Sequence, residues 1–148
     1  MLIEFDEHVD LPAERVYPYF RSPRDWTRLY GAFGEVEERG QGWYAVPLRR
    51  FPFPLVARVV RDEPNRRVAW IFGGFWSGEG EVSFVPTDRG VAVRGYERIS
   101  LCGFGALSRV LERLFLERRF RRVWESGWRR LRREAEELVK DPRGYSDT

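Results

Sequence analysis

The sequence predicts an α+β fold in which one long C-terminal helix covers a curved antiparallel sheet of seven strands. Two short helices follow the first strand. Three observations carry this. Apolar and polar residues alternate in short runs over the first hundred or so positions, the period of half-buried strands. Turn-forming clusters, Gly40-Gln41-Gly42, Asp62-Glu63-Pro64-Asn65 and Asp88-Arg89-Gly90, punctuate those runs. From Phe104 to Lys140 the period becomes helical. A helix laid on one face of an antiparallel sheet buries both apolar surfaces at once.

The elements follow in order. Ile3, Phe5, Glu7 and Val9 share one face of a first strand, opposite Glu4, Asp6, His8 and Asp10. Pro12 opens a helical pattern with Val16, Tyr17 and Phe20 on one side. Ser22-Pro23-Arg24-Asp25 then restarts a helix, with a capping serine, a proline at the first helical position and an acid in the first turn. Strands are expected near 34–39, 42–48, 54–62, 66–73, 76–86 and 90–101. Between the second and third of these, Arg49-Arg50-Phe51-Pro52-Phe53-Pro54 makes a stiff hairpin tip. On the final helix Leu116, Phe120, Val123, Trp124, Gly127, Leu131, Ala135 and Leu138 form the buried stripe, and Arg118, Arg122, Arg129 and Arg133 lie away from it. Residues 1–148 read as a single domain, with 141–148 a flexible tail.

Composition narrows the class. At 148 residues the chain has the commonest size of one domain. No apolar run approaches the ~20 residues of a membrane span, and the N-terminus lacks the pattern of a secretory signal. Cys102 is the only cysteine, so no internal disulfide forms and a cytoplasmic location is expected. Of 26 basic residues only Lys140 is lysine. The basic excess lies between Arg109 and Lys140, but six glutamates interrupt it, which reads as a solvated, ion-paired face and makes nucleic acid an unlikely partner.

Glycines raise a sharper question. In the strand after Trp70-Ile71-Phe72-Gly73-Gly74, residues Trp76, Gly78, Gly80, Val82 and Phe84 face inward, and Ser77, Glu79, Glu81 and Ser83 outward. On the next strand Val91, Val93, Gly95, Glu97 and Ile99 face inward, and Gly127 lies on the covering helix. Interior glycines on adjoining layers either let backbones bend and approach or leave a cavity. The expectation is a cavity between sheet and helix, lined by Trp26, Tyr30, Trp43, Trp70, Phe72 and Trp76, with Gly78, Gly80, Val82, Val93 and Gly95 on the sheet side. Glu97, Phe120, Trp124 and Gly127 complete it.

Signals for catalysis are sparse. His8 is the only histidine and points outward, so neither a nucleophile triad nor a zinc site has support. No phosphate loop or dinucleotide fingerprint is present, and no metal or cofactor is expected. Glu97 and Glu7 are the catalytic candidates, because an inward carboxylate with a raised pKa serves as general acid or base. Each could instead pair with an arginine, with Arg58, Arg94 and Arg98 as possible partners on nearby strands, or reach solvent at a strand end.

Val9-Asp10-Leu11-Pro12-Ala13-Glu14-Arg15-Val16-Tyr17 followed by Ser22-Pro23-Arg24-Asp25-Trp26 resembles the opening of SRPBCC proteins. This superfamily includes START-like lipid carriers, the birch-pollen-allergen fold and polyketide cyclase/dehydrase-like proteins. Gly103-Phe104-Gly105 leading into Leu114-Phe115 and Phe120 to Trp124 is similar to its last strand and helix. The resemblance implies a helix-grip fold with an apolar cavity, and binding or transport of a lipid, isoprenoid, quinone or aromatic polyketide. Many relatives carry Trp and His where this chain has Gly78, Gly80 and Val82, so imidazole chemistry there is ruled out. Two alternatives remain: a cyclase or dehydrase using a pocket carboxylate, and an interaction protein. In the latter, the Phe51 and Phe53 tip and the basic helix meet a membrane or a protein.

Overall fold

The computed structural model describes residues 1–30, 34–48, 53–103 and 105–141. The element order matches the sequence reading. Strand β1 spans Leu2–Val9, helix α1 Ala13–Val16 with a 3-10 turn at Tyr17–Tyr19, and α2 Pro23–Tyr30. Strands β2 Glu37–Gly40, β3 Trp43–Val46, β4 Leu55–Glu63, β5 Arg67–Gly73, β6 Trp76–Thr87 and β7 Gly90–Leu101 follow. The C-terminal segment comprises α3 Gly105–Leu111, a π turn Glu112–Leu116 and α4 Glu117–Lys140. The single long helix expected from periodicity is thus divided by a turn of wider pitch. Strand β3 stops at Val46 because Pro47 has no N–H to give the ladder.

The sheet order is β1-β7-β6-β5-β4-β3-β2, with every neighbour antiparallel. Helices α1 and α2 carry the chain from one sheet edge to the other. Strands β2 to β7 then return as a meander, which places β7 beside β1. At Gly40-Gln41-Gly42 all three residues have positive φ, which explains two glycines in one tight turn. Ser22 caps α2: its hydroxyl accepts from the Asp25 N–H at 3.3 Å and donates to the Asp25 carboxylate at 2.9 Å.

Helix α4 buries Phe120, Trp124, Gly127, Trp128, Leu131 and Ala135 against the sheet. Trp128 joins the stripe although the periodicity did not single it out; it stacks at 5.6 Å on Trp124, one turn earlier. Gly127 is where α2 crosses closely, since a β-carbon there would lie 2.9 Å from Leu29 Cγ and 3.1 Å from Tyr30 Cε1. Polar ties fix the helix further along. Tyr19 donates to Glu134 at 2.5 Å, and Arg15 pairs with the same carboxylate at 3.1 Å. Tyr17 donates to Asp62 at 2.5 Å. Burial first, and then the Asp62 hydrogen bond and charge, push the Tyr17 phenol up to about 12.

Candidate functional site

The inner-face assignments on β6 and β7 hold: Trp76, Gly80, Val82, Phe84, Val93, Glu97 and Ile99 are buried. Register then brings three residues into one row across the sheet. Trp70 on β5 faces Gly80 on β6, and Gly80 faces Glu97 on β7. Because Gly80 has no side chain, the Trp70 indole lies across it, 2.5 Å from where a β-carbon would stand. The same happens one row along. Phe5 of β1 covers Gly95 of β7, with ring carbons 2.9 Å from the β-carbon position.

The interior glycines therefore do not leave the cavity expected of them. Their space is filled by the aromatic rings of neighbouring strands, and Gly78 instead abuts the Arg98 carbonyl at a φ of +134°. Among the described residues, the space between sheet, α2 and α4 beside this row is a cavity of about 50 Å³. That is room for water-sized groups, and well below the ~300–1,000 Å³ of sites that enclose a drug-sized ligand. Of the residues named from the sequence, Trp26, Tyr30, Trp70, Glu97, Phe120 and Trp124 line it. Trp43, Phe72, Trp76, Val82, Val93 and Gly127 do not; Trp43 covers Gly73, and the others lie in the surrounding core.

The remaining wall was missed. It comprises Val46, Pro47, Leu48 and Leu55 at the base of the β3–β4 hairpin, with Thr27 and Val123. The stiff, proline-rich tip between Leu48 and Leu55 was the available signal. Phe51 lies outside the described residues, and Phe53 stacks on Phe75 at 4.1 Å.

Glu97 is the polar centre. At 4 % exposure it is the one buried charged side chain among the described residues. Among the described residues it pairs with no arginine: Arg94 pairs with Asp6 at 3.1 Å and Arg98 with Glu79 at 3.6 Å, both on the outer face. Its partner is an indole, the Trp124 Nε1–H donating to Oε2 at 2.9 Å. Burial pushes the Glu97 carboxyl up to about 7, against the opposing pull of the Trp124 hydrogen bond and of the nearby Trp70 N–H. The Trp70 N–H contributes to that field but misses hydrogen-bond geometry. Trp70 Nε1 is the buried side-chain polar atom without a partner among the described residues. Leaving such a donor unpaired costs about 1–3 kcal/mol. Tyr30 completes the group; burial and the Glu97 charge push its phenol well above its ordinary value.

The other carboxylate candidate is different. Glu7 lies on the inner face but pairs with Arg132 of α4 and is part-exposed, which is the arginine alternative. His8 points outward as expected, within 2.8 Å of Thr87 Oγ1 and 3.3 Å of Asp10. Among the described residues no three His, Cys, Asp or Glu side chains group as metal ligands, and no helix is long and apolar enough to cross a membrane.

An antiparallel sheet that grips a long C-terminal helix over an internal cavity defines the helix-grip class. The chain belongs to the polyketide cyclase/dehydrase and lipid transport family, whose model matches residues 3–136. Among solved structures it is similar to a Thermus thermophilus protein at 16 % identity and TM-score 0.68, covering 93 % of this chain and 99 % of that one. A Staphylococcus aureus protein of unknown function aligns at 13 % identity and TM-score 0.65, covering 95 % and 96 %. A Mesorhizobium loti protein aligns at 13 % identity and TM-score 0.64, covering 90 % and 98 %. These likenesses concern the fold. No curated protein matches the sequence.

Proposed function

We propose that the chain binds a small hydrophobic molecule between the sheet and the C-terminal helix, as a carrier or sensor, and holds its polar end at Glu97 and Trp70. The observation that carries this is the unpartnered Trp70 Nε1–H beside a buried carboxyl in an otherwise aromatic cavity. An oxygen placed there accepts from Trp70 and either donates to ionised Glu97 or accepts from its protonated form. A neutral hydroxyl fits both states and a carbonyl only the protonated one, whereas a ligand carboxylate meets the charge of ionised Glu97. The ligand's apolar part needs more room than 50 Å³. Admitting it requires movement of wall residues such as Leu48 and Leu55 at the hairpin base and Phe120 of α4. Membership of a family described by cyclisation, dehydration and lipid transport supports the same reading.

A second reading has its own support. A carboxyl held near pH 7 is suited to proton transfer, so a cyclase or dehydrase acting in this cavity would use Glu97 as its acid or base.

Native mass spectrometry of the purified protein, with organic extraction of anything retained, tests binding. A defined hydrophobic adduct that is lost in Trp70→Phe is the expected result. An empty protein that gains no thermal stability from long-chain alcohols, quinones or aromatic polyketides refutes it. Turnover abolished by Glu97→Gln, with adduct binding retained, would select the enzyme.

A further inference from the structure

The first part of the C-terminal segment carries an apolar face that is left exposed among the described residues. Leu107, Val110 and Leu114, spaced three and four residues apart, lie on one side of α3 and the π turn and are 61 %, 52 % and 58 % exposed. Phe115 beside them is 62 % exposed. The buried stripe that continues along α4 begins at Leu116, the last residue of the π turn, two residues beyond Leu114 and on the opposite side. The segment is therefore amphipathic in two phases, and the π turn lies where they change. The core accounts for the second phase only.

Charge surrounds this face. Between Arg109 and Arg122 the sequence carries six arginines and two glutamates. Arg121 is paired with Glu117 at 2.9 Å, whereas Arg109, Arg118 and Arg122 are exposed and form no ion pair among the described residues. At the same end, Cys102 donates its N–H to the Phe75 carbonyl at 2.8 Å and holds the half-exposed Phe75 beside the start of α3.

We infer that this face is a docking surface for an anionic lipid bilayer, with Leu107, Val110, Leu114 and Phe115 entering the headgroup boundary and the arginines meeting lipid phosphates. An apolar face flanked by arginine is the pattern of a helix that lies in the membrane interface. A second copy of the chain is the poorer occupant. A two-fold interface sets the same patch against itself, and here it would bring two arginine clusters together. The surface also adjoins the cavity, since Phe120 and Val123 on the next turn are part of the cavity wall. Docking does not depend on the cavity being filled, so the two readings stand or fall separately.

Vesicle co-sedimentation of the full chain tests the inference, using phosphatidylcholine alone and phosphatidylcholine mixed with phosphatidylglycerol. Binding to the mixed vesicles only, weakened by salt, is expected. Leu114→Ser combined with Phe115→Ser should cut that binding ~10-fold or more, with the thermal midpoint unchanged because both side chains are exposed. Arg118→Gln with Arg122→Gln should lower binding and flatten its salt dependence. Absence of binding to anionic vesicles overturns the inference. So does a concentration-dependent dimer that the Leu114 and Phe115 substitutions dissolve.

Discussion

The indole of Trp70 occupies the space over Gly80 and reaches toward Glu97 on the far side of that glycine. A strand interior without a side chain is a weak point unless a neighbour covers it. Here the cover is an aromatic ring from the adjacent strand, and it delivers a hydrogen-bond donor to the interior.

Gly80→Ala should therefore destabilise the fold by about 1–3 kcal/mol, because the methyl group meets a rigid indole in a close-packed core. Trp70→Phe removes the ring atoms that the methyl meets. In urea denaturation the double variant should lose less stability than the sum of the single variants, by more than ~0.5 kcal/mol. Strict additivity would mean that Gly80 is required for another reason.

Glu97 makes stability depend on pH with a definite sign. Its carboxyl lies at about 7 in the folded chain against an ordinary value of 4.5. Below that ordinary value both states hold the proton and the stabilisation is complete. Across the window only the folded chain retains it, so stability falls as pH rises towards 7 and levels off above. The full change is on the order of 3 kcal/mol. Glu97→Gln, which cannot ionise, should gain stability relative to the parent across the same window in thermal denaturation. A constant difference at every pH would place the carboxyl in its ordinary range.

Glu7 is predicted to behave as a surface partner. Its pair with Arg132 is between side chains 31 % and 51 % exposed, and such pairs contribute about 0–1 kcal/mol. Glu7→Gln should alter stability by no more than this and leave ligand retention unchanged. Loss of a bound adduct in this variant would return Glu7 to the site.

Tyr19 should matter more than its position in a short 3-10 turn suggests. Its hydroxyl donates to Glu134, tying the α1 region to α4 across the molecule. Removing a hydrogen bond to a charged group costs about 1.5–3 kcal/mol. Tyr19→Phe should lower the urea midpoint accordingly with little change in slope.

Local pattern determined most of this architecture. Alternation located the strands and the inward face of β6 and β7, including Glu97, because side-chain direction in a strand depends only on position parity. The proline and serine signals located α2, and the helical stripe found the face of α4. What fills the glycine spaces was decided only by tertiary structure. Phe5 over Gly95 and Trp70 over Gly80 depend on register between strands, and register is a non-local property. The partner choices followed the same logic. Glu97 met Trp124, 27 residues away, rather than an arginine on a nearby strand, because those arginines point to the outer face. Glu7 met Arg132 across 125 residues, where β1 and α4 come together. Sequence periodicity says which side of an element is buried; only packing says what lies against it.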